Sequence, residues 1–210
     1  MSPNESNPEN QNPSSGTFVS GLLFIWDFLK IVIIALAIIV PIRYFIFQPF
    51  IVSGSSMEPN FQNGQYLVID ELTYHFGNPS RGQVVVLRYP KDPKQFFIKR
   101  VIGLPHERVE IDNGKVIIFS PGNPEGAPLD ESYLSNQGLT FPHDAAVVGG
   151  KNVLTIGDDE YFVMGDNRLA SSDSRDWGVL KRSNIIGKVF LRALPLNEFE
   201  VYTKTPAYSF

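Results

Sequence analysis

The chain has 210 residues, a net charge of −4 and no cysteine. That length permits one domain with a substantial core. The mild acidity gives no electrostatic footprint for nucleic acid, and the missing thiols exclude disulfides, thiolate metal sites and a cysteine nucleophile. Residues 1–16, MSPNESNPENQNPSSG, carry no apolar side chain beyond the initiator methionine. They cannot bury enough surface to offset chain entropy and read as a disordered tail. The run from Phe28 to Phe47, FLKIVIIALAIIVPIRYFIF, has only Lys30 and Arg43 as charges, both near its ends. About 20 residues at roughly 1.5 Å each cross a hydrocarbon core, so residues 22–47 read as a transmembrane anchor. A cleavable leader would want a basic start and a shorter apolar core; here the tail is acidic, and Arg43, Tyr44, Phe45 and Phe47 suit a membrane interface. Charge leaves the orientation undecided, because the tail has no Lys or Arg while Arg43 lies on the far side of the run.

Beyond the anchor the hydrophobic period becomes two. QYLVIDEL (65–72), QVVVLRY (83–89), QFFIKRVIG (95–103), RVEI and KVIIF (108–119), EYFVMG (160–165) and IIGKVFLRA (185–193) are short and rich in β-branched and aromatic residues. They read as strands. The DNG at 112–114 predicts a tight hairpin, and nothing from 61 to 210 has the pattern of a long amphipathic helix. Residues 48–210 therefore read as one mainly antiparallel β domain. Its segment 120–152, rich in Gly, Pro and Asn, reads as an inserted loop or small excursion.

Chemistry is sought among those strands. FIVSGSSMEPNF, Phe50 to Phe61, groups three serines around Gly54. A serine hydroxyl attacks only when a base takes its proton, and that base is a histidine or a neutral lysine. His75, His106 and His143 are scattered, lack metal-ligand spacing and read as surface or turn residues. Lys99 sits inside a strand run whose own face carries Phe97 and Val101. It is either a snorkelling strand lysine or a desolvated amine, and desolvation would lower its pKa. The third segment, MGDNRLASSDSRDWG (164–178), follows a strand and crowds polar groups that must bond one another or the backbone.

Taken together from about residue 22 to 193, these segments resemble the bacterial type I signal peptidases, membrane-anchored Ser/Lys proteases that remove signal peptides from exported preproteins. SMEP (56–59) is similar to the family's nucleophile motif, GQVVVL (82–87) to the strand before the base, KRVIGLP (99–105) to the base motif and GDNRLASSDSRDWG to its last box. The resemblance implies a mainly β fold, an antiparallel sheet of the signal peptidase/LexA-like type behind a single transmembrane helix. It marks Ser56 as nucleophile, Lys99 as general base and Ser171 as the hydroxyl that orients the lysine. Asp166, Arg168, Asp173 and Arg175 fall on structural positions, expected to hold the loop by ion pairs that include Arg100.

The resemblance further implies cleavage after small residues in an Ala-x-Ala pattern, with Phe50, Val52, Phe61 and Ile98 as pocket walls, and no cofactor or metal. A signal peptide would add as a strand beside residues 50–55. The implied partners are signal peptides, the lipid bilayer and the secretion translocon region. The implied location is the cytoplasmic membrane, single-pass, with the tail inside and the β domain on the extracytoplasmic side. Two departures stand out. Gly54 replaces a serine that supplies an oxyanion donor in some members, leaving the backbone N–H of Ser56 as donor. His106 stands where the family usually has glycine, at a turn. Three other readings are weaker. A self-cleaving Ser/Lys repressor would carry a DNA-binding domain in place of the anchor, a His143-based hydrolase has no histidine motif, and a non-catalytic anchored β module that binds exported chains would not need intact Ser56, Lys99 and Ser171.

Overall fold

The computed structural model describes residues 15–45, 47–134, 139–144, 147–148 and 151–203. The chain divides into two units, Met1–Tyr44 and Phe45–Phe210. The first contains all but the last residue of helix α1 (Ser15–Phe45), whose 18-residue stretch Leu23–Val40 is apolar and long enough to cross a membrane. The apolar stretch lies inside the expected anchor, 22–47, while the helix has different ends. Among the described residues the backbone is helical from Ser15, and no proline interrupts the chain between Pro13 and Pro41. Of the expected tail, residues 1–14 lie outside the described residues, and Ser15 and Gly16 are helical. At the other end Pro49 disfavours helical dihedrals at Gln48, and Phe47 is already paired in a strand.

The second unit is built from antiparallel strands: β1 (Phe47–Ile51), β2 (Tyr66–Asp70), β3 (Val84–Tyr89), β4 (Asp92–Gly103), β5 (Arg108–Asp112), β6 (Lys115–Ser120), β7 (Asn123–Pro128), β8 (Val147–Val148), β9 (Lys151–Thr155), β10 (Glu160–Met164), β11 (Leu180–Lys181), β12 (Ile185–Leu194) and β13 (Glu200–Val201). Two short helices, α2 (Thr73–Phe76) and α3 (Ser174–Trp177), interrupt them. One sheet runs β1-β2-β12-β3-β4-β10-β11 with β13 on β12, and the other runs β7-β6-β5-β9-β8. Each run expected as a strand from its alternation is one. The 120–152 segment is more regular than a loop, because β7, β8 and the first two residues of β9 lie in it and extend the second sheet. The sequence of β7, NPEGAP, carries little β-propensity; pairing to β6 supplies its extended backbone.

The first sheet is buried on both faces, which explains the unbroken apolar run in β3. Val84 and Val86 pack with Val52, Met57, Phe61, Leu67 and Ile69, while Val85 and Leu87 join Val101, Val163 and Leu180 on the opposite face. Each such buried side chain contributes about 1.5–3 kcal/mol. A third cluster joins Ile102 and Phe162 to Val109, Ile111, Val116 and Ile118 of the second sheet. At the β5–β6 turn, Asn113 and Gly114 both have positive φ, 49° and 78°. This is the geometry that DNG favours between twisted strands.

Candidate active site

Strand β1 delivers the chain to a loop closed at its neck. The Val52 N–H donates to Gln65 O and the Gly64 N–H to Val52 O, both at 2.9 Å. Gly54 sits at φ +91°, a conformation side chains resist, and its N–H donates to Asn63 Oδ1 at 2.9 Å. The chain then turns tightly, with the Glu58 N–H on Ser55 O at 3.1 Å and the Phe61 N–H on Met57 O at 2.9 Å. Met57 and Phe61 enter the core, each 1% exposed. Between the open Ser55 and the buried Met57, Ser56 is half-buried.

Lys99 lies in β4 opposite Val85 of β3. It is 3% exposed, its Nζ is 2.8 Å from Ser56 Oγ and 3.0 Å from Ile98 O, and it stands 5.2 Å over the Phe97 ring. It is therefore the desolvated amine and not a snorkelling residue. Burial lowers its pKa from 10.5 to about 8, against the upward pull of the Asp173 and Asp166 carboxylates. An amine poised there can be neutral near working pH and can take a proton from the hydroxyl beside it.

The loop after β10 is pinned by ion pairs. Arg100 grips Asp166 with Nε and Nη2 at 2.8 and 2.6 Å. Arg175 grips Asp173 with Nε and Nη2, each at 2.8 Å, both side chains being fully buried. Burial pushes the Asp173 carboxyl up, but the Arg175 guanidinium and the Gly165 and Arg175 N–H groups hold it below its usual range. Asp173 also caps α3 in a capping box with Asp176. Arg168 reaches out of the loop, to Gly165 O at 3.0 Å, Thr140 Oγ1 at 2.6 Å, Glu131 Oε1 at 2.5 Å and the Tyr133 hydroxyl at 3.0 Å.

Ser171 is brought to the same place but not to the lysine. It is 6% exposed, and its Oγ has no hydrogen bond partner among the described residues; the expected bond to Lys99 is not formed. The loop comes this close because position 165 is glycine: a Cβ there would collide with the Ser56 carbonyl oxygen and Ser171 Oγ.

Beside Ser56 lies a cavity of about 80 Å³, lined by Phe50, Val52 and Ile98 together with Phe96, Val86 and Leu67. Phe61, expected in its wall, does not line it. The turn at Met57 directs Phe61 inward, where it packs 5.2 Å from the Tyr202 ring. His106 adopts φ +67°, the turn conformation its position demands. His143 bonds Asp176 at 2.8 Å and Asn152 through its backbone, and it contacts none of the site serines.

Sequence reasoning missed Asn60, Glu131, Tyr133 and Asn167. Asn60 Nδ2 donates to Asp166 Oδ2 at 2.8 Å and to Tyr133 O at 3.0 Å, Arg100 lies 4.2 Å over the Tyr133 ring, and Asn167 holds the Ser55 and Ser56 carbonyls. Asn60 and Asn167 lie inside or next to the quoted motifs, and their proximity was the available signal. Glu131 and Tyr133 stand in an irregular segment that gives none.

A serine hydroxyl against a buried lysine amine, in a β domain preceded by an apolar helix, is the arrangement of a serine protease. The family model for signal peptidase, peptidase S26, matches residues 25–194. A probable signal peptidase I-1 of Synechocystis sp. is 34% identical over 186 residues, covering 83% of this chain and 87% of that one. Signal peptidase I P of Bacillus subtilis subsp. natto is 34% identical over 173 residues, covering 81% and 90%. The crystal structure of a signal peptidase I from Enterococcus faecalis V583 is 31% identical and covers 53% of this chain and 97% of its own, with a TM-score of 0.43. The chain belongs to the signal peptidase family, peptidase S26.

Proposed function

We propose that this chain removes N-terminal signal peptides from exported preproteins, with Ser56 as nucleophile and Lys99 as general base. The observation that carries the reading is the 2.8 Å separation between Ser56 Oγ and a lysine amine that burial has brought to a pKa of about 8. Ser56 Oγ bonds to the scissile carbonyl carbon as its proton passes to Lys99 Nζ, and the C=O electron pair moves onto the oxygen. The Ser56 N–H faces that oxyanion. Lys99 returns the proton to the departing amine as the C–N bond breaks, then activates the water that frees the acyl group. Ser171, buried beside Gly165 with its hydroxyl unbonded among the described residues, is the group free to accept from the amine once Lys99 takes the proton. Asp166, Arg168, Asp173 and Arg175 hold the frame.

Specificity follows from volume. A cavity of about 80 Å³ walled by Phe50, Val52 and Ile98 accepts a methyl-sized group and rejects bulky ones, which is the Ala-x-Ala rule. Among the described residues strand β1 ends its sheet, so its outer edge can take an extended signal peptide by main-chain hydrogen bonds without fixed sequence. Helix α1 anchors the chain in the cytoplasmic membrane as a single pass, and the β domain works on the extracytoplasmic side, near the bilayer and the secretion translocon. Detergent-solubilised protein incubated with a preprotein should release the mature product. Ser56→Ala should abolish this, Ser53→Ala and Ser55→Ala should not, and a bulky residue just before the bond should block cutting. Full processing by Ser56→Ala ends the proposal.

A further inference from the structure

The nucleophile's own N–H is a useful oxyanion donor only if it points the right way. Its direction is set by the peptide between Ser55 and Ser56, which is planar and trans, so its C=O and N–H point in opposite directions. Asn167 grips that unit from the loop after β10, its Nδ2 donating to Ser55 O at 3.1 Å, and its backbone N–H holds the following peptide at Ser56 O, 3.0 Å away. Holding the Ser55 carbonyl turns the Ser56 N–H away from Asn167, and no acceptor among the described residues takes that N–H. Gly54 has no hydroxyl to add, and its own N–H is occupied by Asn63.

Asn167 is itself fixed. The residue before it, Asp166, is bound by Arg100 and Asn60. Gly165 N–H donates to Asp173 Oδ2 at 3.0 Å, and Ala170 N–H closes a turn on Asn167 O at 3.1 Å. The side chain must be an amide, because a carboxylate could only accept and would face the Ser55 oxygen with a like partial charge.

We propose that Asn167 is the positioning residue of the oxyanion hole, aiming the Ser56 N–H through the Ser55 and Ser56 carbonyls. This rests on the assignment of Ser56 as nucleophile. The buried ion pairs of the loop thereby gain a catalytic consequence, since they hold the amide that orients the donor.

The test uses the full chain in detergent micelles, with Asn167→Ala and Asn167→Asp. Removing an oxyanion donor outright costs about 10²–10³ in kcat, and misdirecting one costs less, so kcat should fall about 10- to 100-fold. KM should stay within about twofold, and the acid limb of the pH profile should not move, because Lys99 is untouched. A peptide aldehyde with the cleavage-site sequence supplies the second readout. Ser56 Oγ bonds to its carbon, the serine proton passes to Lys99, and the C=O electron pair rests on the oxygen in the hole. Its affinity should fall with kcat, and like KM it reads folded enzyme only. Wild-type kcat, an unchanged aldehyde affinity, a change confined to KM, or a shifted acid limb would each overturn the inference. Ser56→Ala separates the two levels: inactive Ser56→Ala with fully active Asn167→Ala sinks this inference alone, whereas active Ser56→Ala sinks the nucleophile assignment beneath it.

Discussion

Replacing Lys99 by methionine should destroy activity and yet stabilise the catalytic unit at neutral pH. In the unfolded chain the amine titrates near 10.5 and in the folded one near 8. Each pH unit of displacement is worth about 1.4 kcal/mol, so burying the charged amine costs the fold about 3 kcal/mol wherever both states are protonated. The folded pKa is the depressed one. Between pH 8 and 10.5 the unfolded chain therefore binds a proton that the folded chain lacks, and wild-type stability rises with pH across that window. Methionine matches the length of lysine and carries no charge. Lys99→Met should exceed the wild type by about 3 kcal/mol at pH 6.5, and the advantage should shrink through pH 8 to 9.5 as the wild type sheds its penalty. Urea unfolding of the full chain in micelles, followed by tryptophan fluorescence, gives both curves; other titrations are common to the two proteins and cancel. A difference that does not change with pH, or a less stable Lys99→Met at every pH, would show that the amine is not desolvated.

Lys99→Arg should be as inactive as Lys99→Ala, since arginine does not deprotonate in proteins, and wild-type kcat/KM should rise through an acid limb near pH 8, measured as preprotein cleavage across pH. Gly165→Ala should place a methyl against Ser56 O and Ser171 Oγ; overpacking of this kind costs about 1–3 kcal/mol, and activity should fall far more than the unfolding midpoint. Asp166→Ala should strip the buried Arg100 of its carboxylate and cost about 3–5 kcal/mol in urea unfolding. His106→Gly should raise stability by about 1 kcal/mol, because His106 is held at φ +67° where glycine fits freely.

Legibility in the sequence tracked the range of the interaction. Short runs rich in β-branched and aromatic residues announced β2, β3, β4, β5, β6, β10 and β12, alternating where one face is buried and unbroken where both are. This pattern was silent for β7, where NPEGAP is extended by its partner β6. The position of Ser56 beside Lys99 was foreshadowed by motifs, but the fate of the lysine was not: Phe97 and Val101 fit an exposed strand as well as a buried one, and only packing against β3 and the loop after β10 removes the water. Phe61 was misplaced because its direction depends on a turn at Met57 that reverses the local phase. The partner of Arg168, Glu131, lies 37 residues away in a segment without periodicity, and no local pattern encodes such a pair.

Strand β12 sits between β2 and β3 in the larger sheet. Without it, the strands leading to Ser56 and the strands carrying Lys99 share no ladder among the described residues. It is also the last long strand to be synthesised. On the proposed reading of Ser56 and Lys99, a polypeptide that stops before residue 185 holds both side chains but lacks the strand that joins their ladders. On that reading, cutting should await residues 185–194, which close the gap between β2 and β3.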